Sequence, residues 1–100
     1  MEKYNVIIYP AAERDLNDII CYLNTLSPET AVRYYDFLVE KIESLSQMPM
    51  RFPTPKNIVL AAKGYRCLIV KNYIVFYVIS GTMIQIRRIL FNRRNYEDLL

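Results

Sequence analysis

The spacing of apolar residues changes from helical to strand-like across a short proline-rich segment, and this change limits what the chain can fold into. Before the segment, apolar residues recur every three or four positions, as on one face of a helix. After it, short runs of β-branched and aromatic residues dominate, as in strands. The segment from Met48 to Pro55 contains Pro49, Pro53 and Pro55, which cannot continue a helix, so a loop is predicted there.

Two helical stripes precede this loop. The first runs from Pro10 to about Leu26, and the second begins after Ser27, a good N-cap residue in front of Pro28. Because only a residue or two joins them, we expect an antiparallel helical hairpin. The side chains expected to pack this hairpin on a sheet are Leu16, Ile20, Leu23, Leu38, Ile42 and Leu45.

Four strand-like runs complete the pattern: Tyr4–Tyr9 before the hairpin, and Tyr65–Val70, Tyr73–Ile79 and Met83–Phe91 after it. The connections Lys71-Asn72 and Ser80-Gly81 have hairpin-turn lengths, and each contains an Asn or Gly that tolerates positive φ. The order β-α-α-β-β-β predicts an α+β fold in one domain, residues 1–100, with the hairpin packed on one face of a small, mostly antiparallel sheet. The other face is expected to stay open, or to need the C-terminal segment or a partner chain as a cover.

Several classes of site are excluded by the residue types present. Cys21 and Cys67 are interpreted as reduced core thiols of a cytosolic protein, since no segment resembles a secretory signal or a membrane span. With no His and two distant Cys, we expect no zinc site. Glycine occurs only at positions 64 and 81, so phosphate loops and dinucleotide fingerprints are absent and no cofactor is expected.

The charges are distributed very unevenly along the chain. Residues 1–43 carry four basic and eight acidic side chains, whereas residues 44–96 carry nine basic and no acidic ones. A segment without carboxylates leaves its cations without local partners, so its positive field should attract phosphates or an acidic protein. The alternative is a solvated basic surface that binds nothing.

The chemistry open to this chain rests on its Lys, Arg and Tyr residues. Without His there is no Ser-His or Cys-His pair, and the carboxylates are explained as solvated helix faces rather than a hydrolase pair. Metal-independent RNA cleavage remains feasible, with arginines stabilising the transition state and another group transferring protons. The alternative, that these cations pair with an acidic partner, is favoured by sequence composition. The residues concerned are Lys63, Arg66, Arg87, Arg93, Arg94 and Tyr96.

The C-terminal half carries several runs in a characteristic order: Lys63-Gly64-Tyr65-Arg66, Asn72-Tyr73-Ile74-Val75-Phe76-Tyr77 and Ile84-Gln85-Ile86-Arg87-Arg88-Ile89-Leu90, then Arg94 and Leu99-Leu100. With Ala12, Asp15-Leu16, Ile19, Tyr22 and Pro49 nearer the start, they resemble the RelE/ParE toxins of bacterial type II toxin–antitoxin systems over almost the whole chain. The resemblance implies a compact toxin that a cognate acidic antitoxin neutralises, typically by wrapping a partly disordered segment around it.

The same resemblance implies two possible targets. RelE-like members cut mRNA in the ribosomal A site, whereas ParE-like members poison DNA gyrase. The Lys-Gly-Tyr-Arg and Tyr-x-Val-Phe-Tyr runs are more similar to the ParE side, and Tyr73 is followed by Ile74 where cleaving members tend to carry Arg. Gyrase poisoning is therefore slightly favoured over mRNA cleavage and over an inactive homologue that acts only as a binding module.

A cleaving toxin would need its functional residues close together. In that case we expect the following side chains to converge on one concave patch, with Tyr96 or Lys63 assisting proton transfer: Arg66, Arg87, Arg93, Arg94 and Tyr96. On the gyrase interpretation these cations need not converge, and apolar residues should contribute as well.

Overall fold

The structure, a computed structural model, describes residues 3–92 and Leu100. Its elements follow the predicted order with one addition, a short third helix. Strand β1 spans Asn5–Ile8, helix α1 Pro10–Leu26 and helix α2 Pro28–Glu43. Two 3₁₀ turns, Ser44–Ser46 and Pro49–Arg51, lead to helix α3 (Ile58–Ala62) and to strands β2 (Tyr65–Val70), β3 (Tyr73–Ser80) and β4 (Met83–Phe91).

The four strands form one sheet in the order β1-β4-β3-β2. β1 lies parallel to β4, whereas β2 and β4 each pair antiparallel with β3. β1 and β2 are therefore the two edges of the sheet. The predicted α+β fold, with a helical hairpin and a mostly antiparallel sheet, is confirmed.

Prolines and one serine determine where the two long helices begin. Pro10 and Pro28 lie at the start of α1 and α2, where a missing N–H costs no helical hydrogen bond. Ser27 serves both helices: its N–H donates to the Leu23 carbonyl over 2.9 Å, and its Oγ accepts from the Thr30 N–H over 3.3 Å. Because a single residue ends α1 and caps α2, the helices turn back on each other. Neither they nor α3 is long and apolar enough to cross a bilayer.

One face of the sheet packs against the helical hairpin and forms the first core. Leu45 contributes from the 3₁₀ turn after α2, although the helical stripe had predicted it within the helix. All six residues predicted to pack the hairpin are buried or half-buried: Leu16, Ile20, Leu23, Leu38, Ile42 and Leu45. The sheet contributes Leu68, Val70, Tyr73, Val75, Tyr77, Ile84, Ile86 and Ile89.

The opposite face of the sheet was expected to stay open, or to need the C-terminal segment or a partner chain as a cover, and it carries a second core. Its buried members are Leu60, Tyr65, Cys67, Ile74, Phe76 and Leu90. Leu60 comes from α3, the helix that the sequence pattern did not predict, and Leu100 packs at the margin. Since β3 is covered on both faces, its unbroken apolar run is explained without a partner chain.

The turn between β2 and β3 differs from the prediction in one respect. The left-handed backbone conformation belongs to Lys71, with φ of 56°, and not to Asn72. In the next turn Gly81 has φ of 61°, as its residue type predicts. The Lys71 ammonium lies 4.7 Å from the centre of the Phe37 ring, and this cation–π contact with α2 offsets part of the backbone strain.

Candidate functional site

Arg66 stabilises the fold, and its side chain lies on the face of the sheet that forms the first core. Its guanidinium donates to the carbonyl oxygens of Phe52 and Met50, over 2.7 and 3.2 Å. The cross-strand partner of Arg66 is Tyr77, whose hydroxyl donates to the Pro49 carbonyl over 2.5 Å. Together the two side chains hold the proline-rich loop against the sheet.

Tyr77 is fully buried, and burial raises the pKa of its hydroxyl to about 12. The hydroxyl therefore stays protonated at neutral pH and keeps donating to Pro49. Replacing Tyr77 with Phe should lower the free energy of unfolding by ~1–3 kcal/mol, because the buried carbonyl loses its donor. Urea denaturation of Tyr77→Phe would measure this, with Tyr35→Phe at an exposed position as the control. Equal stability of the two variants would contradict the anchoring role.

Arg87 lies on the other face of the sheet, beside the second core. Its guanidinium carbon is 4.8 Å from the centre of the Tyr9 ring and 5.9 Å from that of Tyr65, and it donates to Gln85 Oε1 over 2.8 Å. Two aromatic rings and an amide thus hold a half-buried cation in a fixed orientation. Such an arginine is suited to binding an anionic group that approaches from this face.

A β-bulge in β4 places Arg87 there. Ile86 pairs with Tyr77 and Arg88 pairs with Phe76, so Arg87 is an extra residue without a partner on β3. β1 ends opposite Ile86, which leaves the later part of β4 without a strand on that side.

Asp15 of α1 stabilises the bulge. Its Oδ2 accepts from Arg88 Nε over 2.7 Å and from the Ile89 N–H over 3.0 Å, and its Oδ1 accepts from a second Arg88 nitrogen over 3.0 Å. The hydrogen bond with Asp15 raises the pKa of Arg88. One carboxylate thus fixes α1 to β4 and satisfies a backbone donor that no strand could pair.

Removing this carboxylate should destabilise the chain. We expect Asp15→Ala to lower the free energy of unfolding by ~1–3 kcal/mol, because a half-buried Arg and a backbone N–H lose their acceptor. Asp18→Ala, an exposed acid on the same helix, is the control for loss of charge. Chemical denaturation of both variants compares them, and a cost for Asp15→Ala no larger than for Asp18→Ala would show that the contact contributes nothing.

The remaining candidate residues are Lys63, Arg93, Arg94 and Tyr96. Lys63 is exposed at the C-terminal end of α3, where Gly64 with φ of 86° turns the chain into β2. Arg93, Arg94 and Tyr96 lie outside the described residues. Of the two candidate arginines that the structure describes, Arg66 contacts the loop on the first-core face and Arg87 lies on the second-core face, so the sheet separates them.

Sequence reasoning named neither Gln85 nor Tyr9 as a partner of Arg87, although strand alternation places Gln85 on the same face. Gln85 had a signal, because residues two apart on a strand share a face. Tyr9 had none, since its proximity depends on the parallel pairing of β1 with β4. Among residues 3–92 and Leu100, no three Cys, Asp or Glu side chains come together to hold a metal ion.

Comparisons with known proteins bear on this fold. A family profile described as "ParE toxin of type II toxin-antitoxin system, parDE" matches residues 6–96. Similar solved structures include the chromosomal ParDE toxin–antitoxin system from P. aeruginosa, with a TM-score of 0.78 and 23% identity over 93% of this chain and 100% of that one.

A further similar structure comes from the toxin–antitoxin complex RelBE2 of Mycobacterium tuberculosis. It has a TM-score of 0.62 and 26% identity, and the match covers 90% of this chain and 99% of that one. No curated protein sequence is similar enough to match. Because the family profile covers nearly the whole chain, this protein belongs to the ParE toxin family of type II toxin–antitoxin systems.

Proposed function

We propose that this chain arrests growth by poisoning DNA gyrase and that an acidic antitoxin encoded beside it neutralises it. The observation that carries the choice of target is the separation of Arg66 from Arg87 by the sheet. A nuclease needs its cations around one scissile phosphate. Arg66 instead donates to two backbone carbonyls, so it serves the fold.

Ile74 also supports the gyrase target. It is buried in the second core beside Phe76 and Leu90, so this position offers no cation to a substrate. Replacing Ile74 with Arg would bury an unpaired charge, which costs several kcal/mol or more. We therefore expect Ile74→Arg to unfold or weaken the chain without creating RNA cleavage.

A second candidate function is mRNA cleavage, and Arg87 favours it. This cation is held between two tyrosine rings and is only half-buried, which suits binding of a phosphate. If the chain cleaves mRNA, Arg87→Ala should lower the cleavage rate by ~10²–10³, as expected for loss of one transition-state contact.

Two purified assays separate these functions. The chain should inhibit supercoiling by gyrase and trap cleaved DNA, while leaving mRNA intact on translating ribosomes. In cells, it should arrest growth with DNA-damage signalling and without position-specific mRNA cuts. mRNA cuts that disappear in Arg93→Ala or Tyr96→Phe would overturn the gyrase proposal. A chain that neither arrests growth, inhibits gyrase nor cuts mRNA would be an inactive homologue that acts only as a binding module.

The antitoxin is the second part of the proposal. Both structural relatives described above come from toxin–antitoxin systems, one of them named as a complex. In this chain the carboxylate-free segment from residue 44 to 96 supplies cations that an acidic partner would neutralise, from Lys63 to Arg94. Arg66 and Arg88 are excepted, because they already bind the Phe52 carbonyl and Asp15. Co-expression with the short reading frame beside the gene should yield a stable complex and restore growth. A toxin that remains lethal, with no complex on purification, would contradict this.

A further inference from the structure

A cleft of about 320 Å³ lies between helix α2 and the turn that joins β2 to β3. Thr30, Arg33, Tyr34 and Phe37 line it from one face of α2, because residues three, four and seven apart on a helix share a face. Lys71 closes the cleft from the turn. Lys71 has a left-handed backbone, and its ammonium reaches the Phe37 ring of α2.

The two cations of this cleft have no ion-pair partner among residues 3–92 and Leu100. Within the part of the chain that the structure describes, neither Arg33 nor Lys71 forms an ion pair, and the ion pair present there is Arg88–Asp15. The Lys71 ammonium lies over the face of the Phe37 ring, and Arg33 is exposed. A carboxylate that enters the cleft would therefore meet two cations held on opposite walls.

An aromatic row extends from the cleft toward the end of β4. The Tyr34 ring stands edge-on to Tyr73 with 6.1 Å between centroids, and Tyr73 stands edge-on to Phe91 at 5.7 Å. Phe91 is 55% exposed and Phe37 is 39% exposed. Tyr73 itself is buried, so the contact surface for an apolar side chain next to the bound carboxylate is formed by the half-buried Tyr34 and by the exposed faces of Phe37 and Phe91.

We infer that the cleft binds an acidic segment of the antitoxin, with one carboxylate between Arg33 and Lys71 and a neighbouring apolar side chain on the accessible surface of Tyr34 and Phe91. The inference rests on the antitoxin partner proposed above and locates one of its contacts outside the sheet. A nucleic acid fits less well, because two cations neutralise little of a polyanion.

The test compares two double variants that change the net charge equally. Arg33→Glu with Lys71→Glu alters the cleft, and Arg14→Glu with Lys56→Glu alters exposed positions elsewhere. Each is titrated with the purified product of the adjacent reading frame at low and at high salt. The cleft variant should bind at least about tenfold more weakly at low salt, with a smaller difference at high salt, whereas the control should bind within about threefold of wild type.

Folding and partner identity are checked separately. If charge reversal unfolds the chain, Arg33→Gln with Lys71→Asn replaces it, since Asn tolerates the left-handed conformation. Wild type that fails to bind the neighbouring protein overturns the antitoxin proposal and this inference together. A cleft variant that binds like the control overturns the inference alone. So does a variant that keeps antitoxin affinity but loses growth arrest, because the cleft would then contact the toxin's target.

Discussion

Replacing Leu38 with alanine is expected to lower the free energy of unfolding by ~2–5 kcal/mol. Leu38 lies at the centre of the first core, where helix α2 packs on the sheet, and none of its surface is exposed. The truncated side chain loses its burial in apolar surroundings and leaves a cavity among neighbours that cannot fully close around it. Urea denaturation followed by far-UV circular dichroism measures the change.

Leu26→Ala is the matched control for this variant. It removes the same atoms from the same helical hairpin, but Leu26 is 65% exposed at the end of α1. Its cost should stay within about 0.5 kcal/mol. If Leu38→Ala costs no more than Leu26→Ala, then α2 does not pack on the sheet as described.

The helical hairpin and the last three strands were predicted well because their signals are local. Ser27 and Pro28 mark the boundary between the helices within two residues, and the structure uses Ser27 as both the end of α1 and the cap of α2. The turn-length connections likewise bounded β2, β3 and β4 to within a residue. A local pattern suffices when neighbouring residues in the chain satisfy the hydrogen bonds.

Helix α3 was not predicted because its stability is not local. It has five residues, fewer than an isolated helix needs in water. Asn57 gives the one local signal, since its Oδ1 accepts from the Leu60 N–H over 3.0 Å. What supports the helix is Leu60, which is buried in the second core against strands that come later in the chain.

The site was less predictable than the fold because it depends on register. The sequence identified Arg66 and Arg87 as cations of the right type, but the face each one occupies is set by pairings across the sheet. The bulge at Arg87 follows from a register shift opposite Phe76 and Tyr77, and Asp15 stabilises it from 73 residues away in sequence. Nothing in the local pattern around Asp15 indicates this partner.

Alkaline pH is expected to destabilise the fold through three buried groups, Cys67, Tyr73 and Tyr77, and not through the exposed tyrosines. Burial raises the pKa of the Cys67 thiol from 9.0 to about 11 and that of the Tyr77 hydroxyl from 10.0 to about 12. Burial also raises the pKa of Tyr73, and the nearby Tyr34 and Tyr22 add to that effect. All three groups are neutral when protonated, so the folded state holds their protons to higher pH than the unfolded state does.

The free energy of unfolding should therefore be unaffected by these groups below pH 9 and fall as the pH rises from about 9 to about 12, since the unfolded chain binds fewer protons there. A pKa difference of this size corresponds to ~3 kcal/mol for Cys67 and for Tyr77. Each loss is a substantial fraction of the stability of a small domain, and the two are not additive because the Cys67 thiolate contributes to the raised pKa of Tyr77. Urea denaturation at a series of pH values from 7 to 12 measures the slope.

Two variants assign this slope to the groups that cause it. Cys67→Ala should remove the part of the decline that begins near pH 9, and Tyr77→Phe should flatten the part above pH 10, although it starts from a lower stability at pH 7. The comparison is made on the slope and not on absolute stability, because Tyr77→Phe also releases the Pro49 carbonyl. A decline that both variants leave unchanged would mean that Cys67 and Tyr77 do not drive alkaline unfolding.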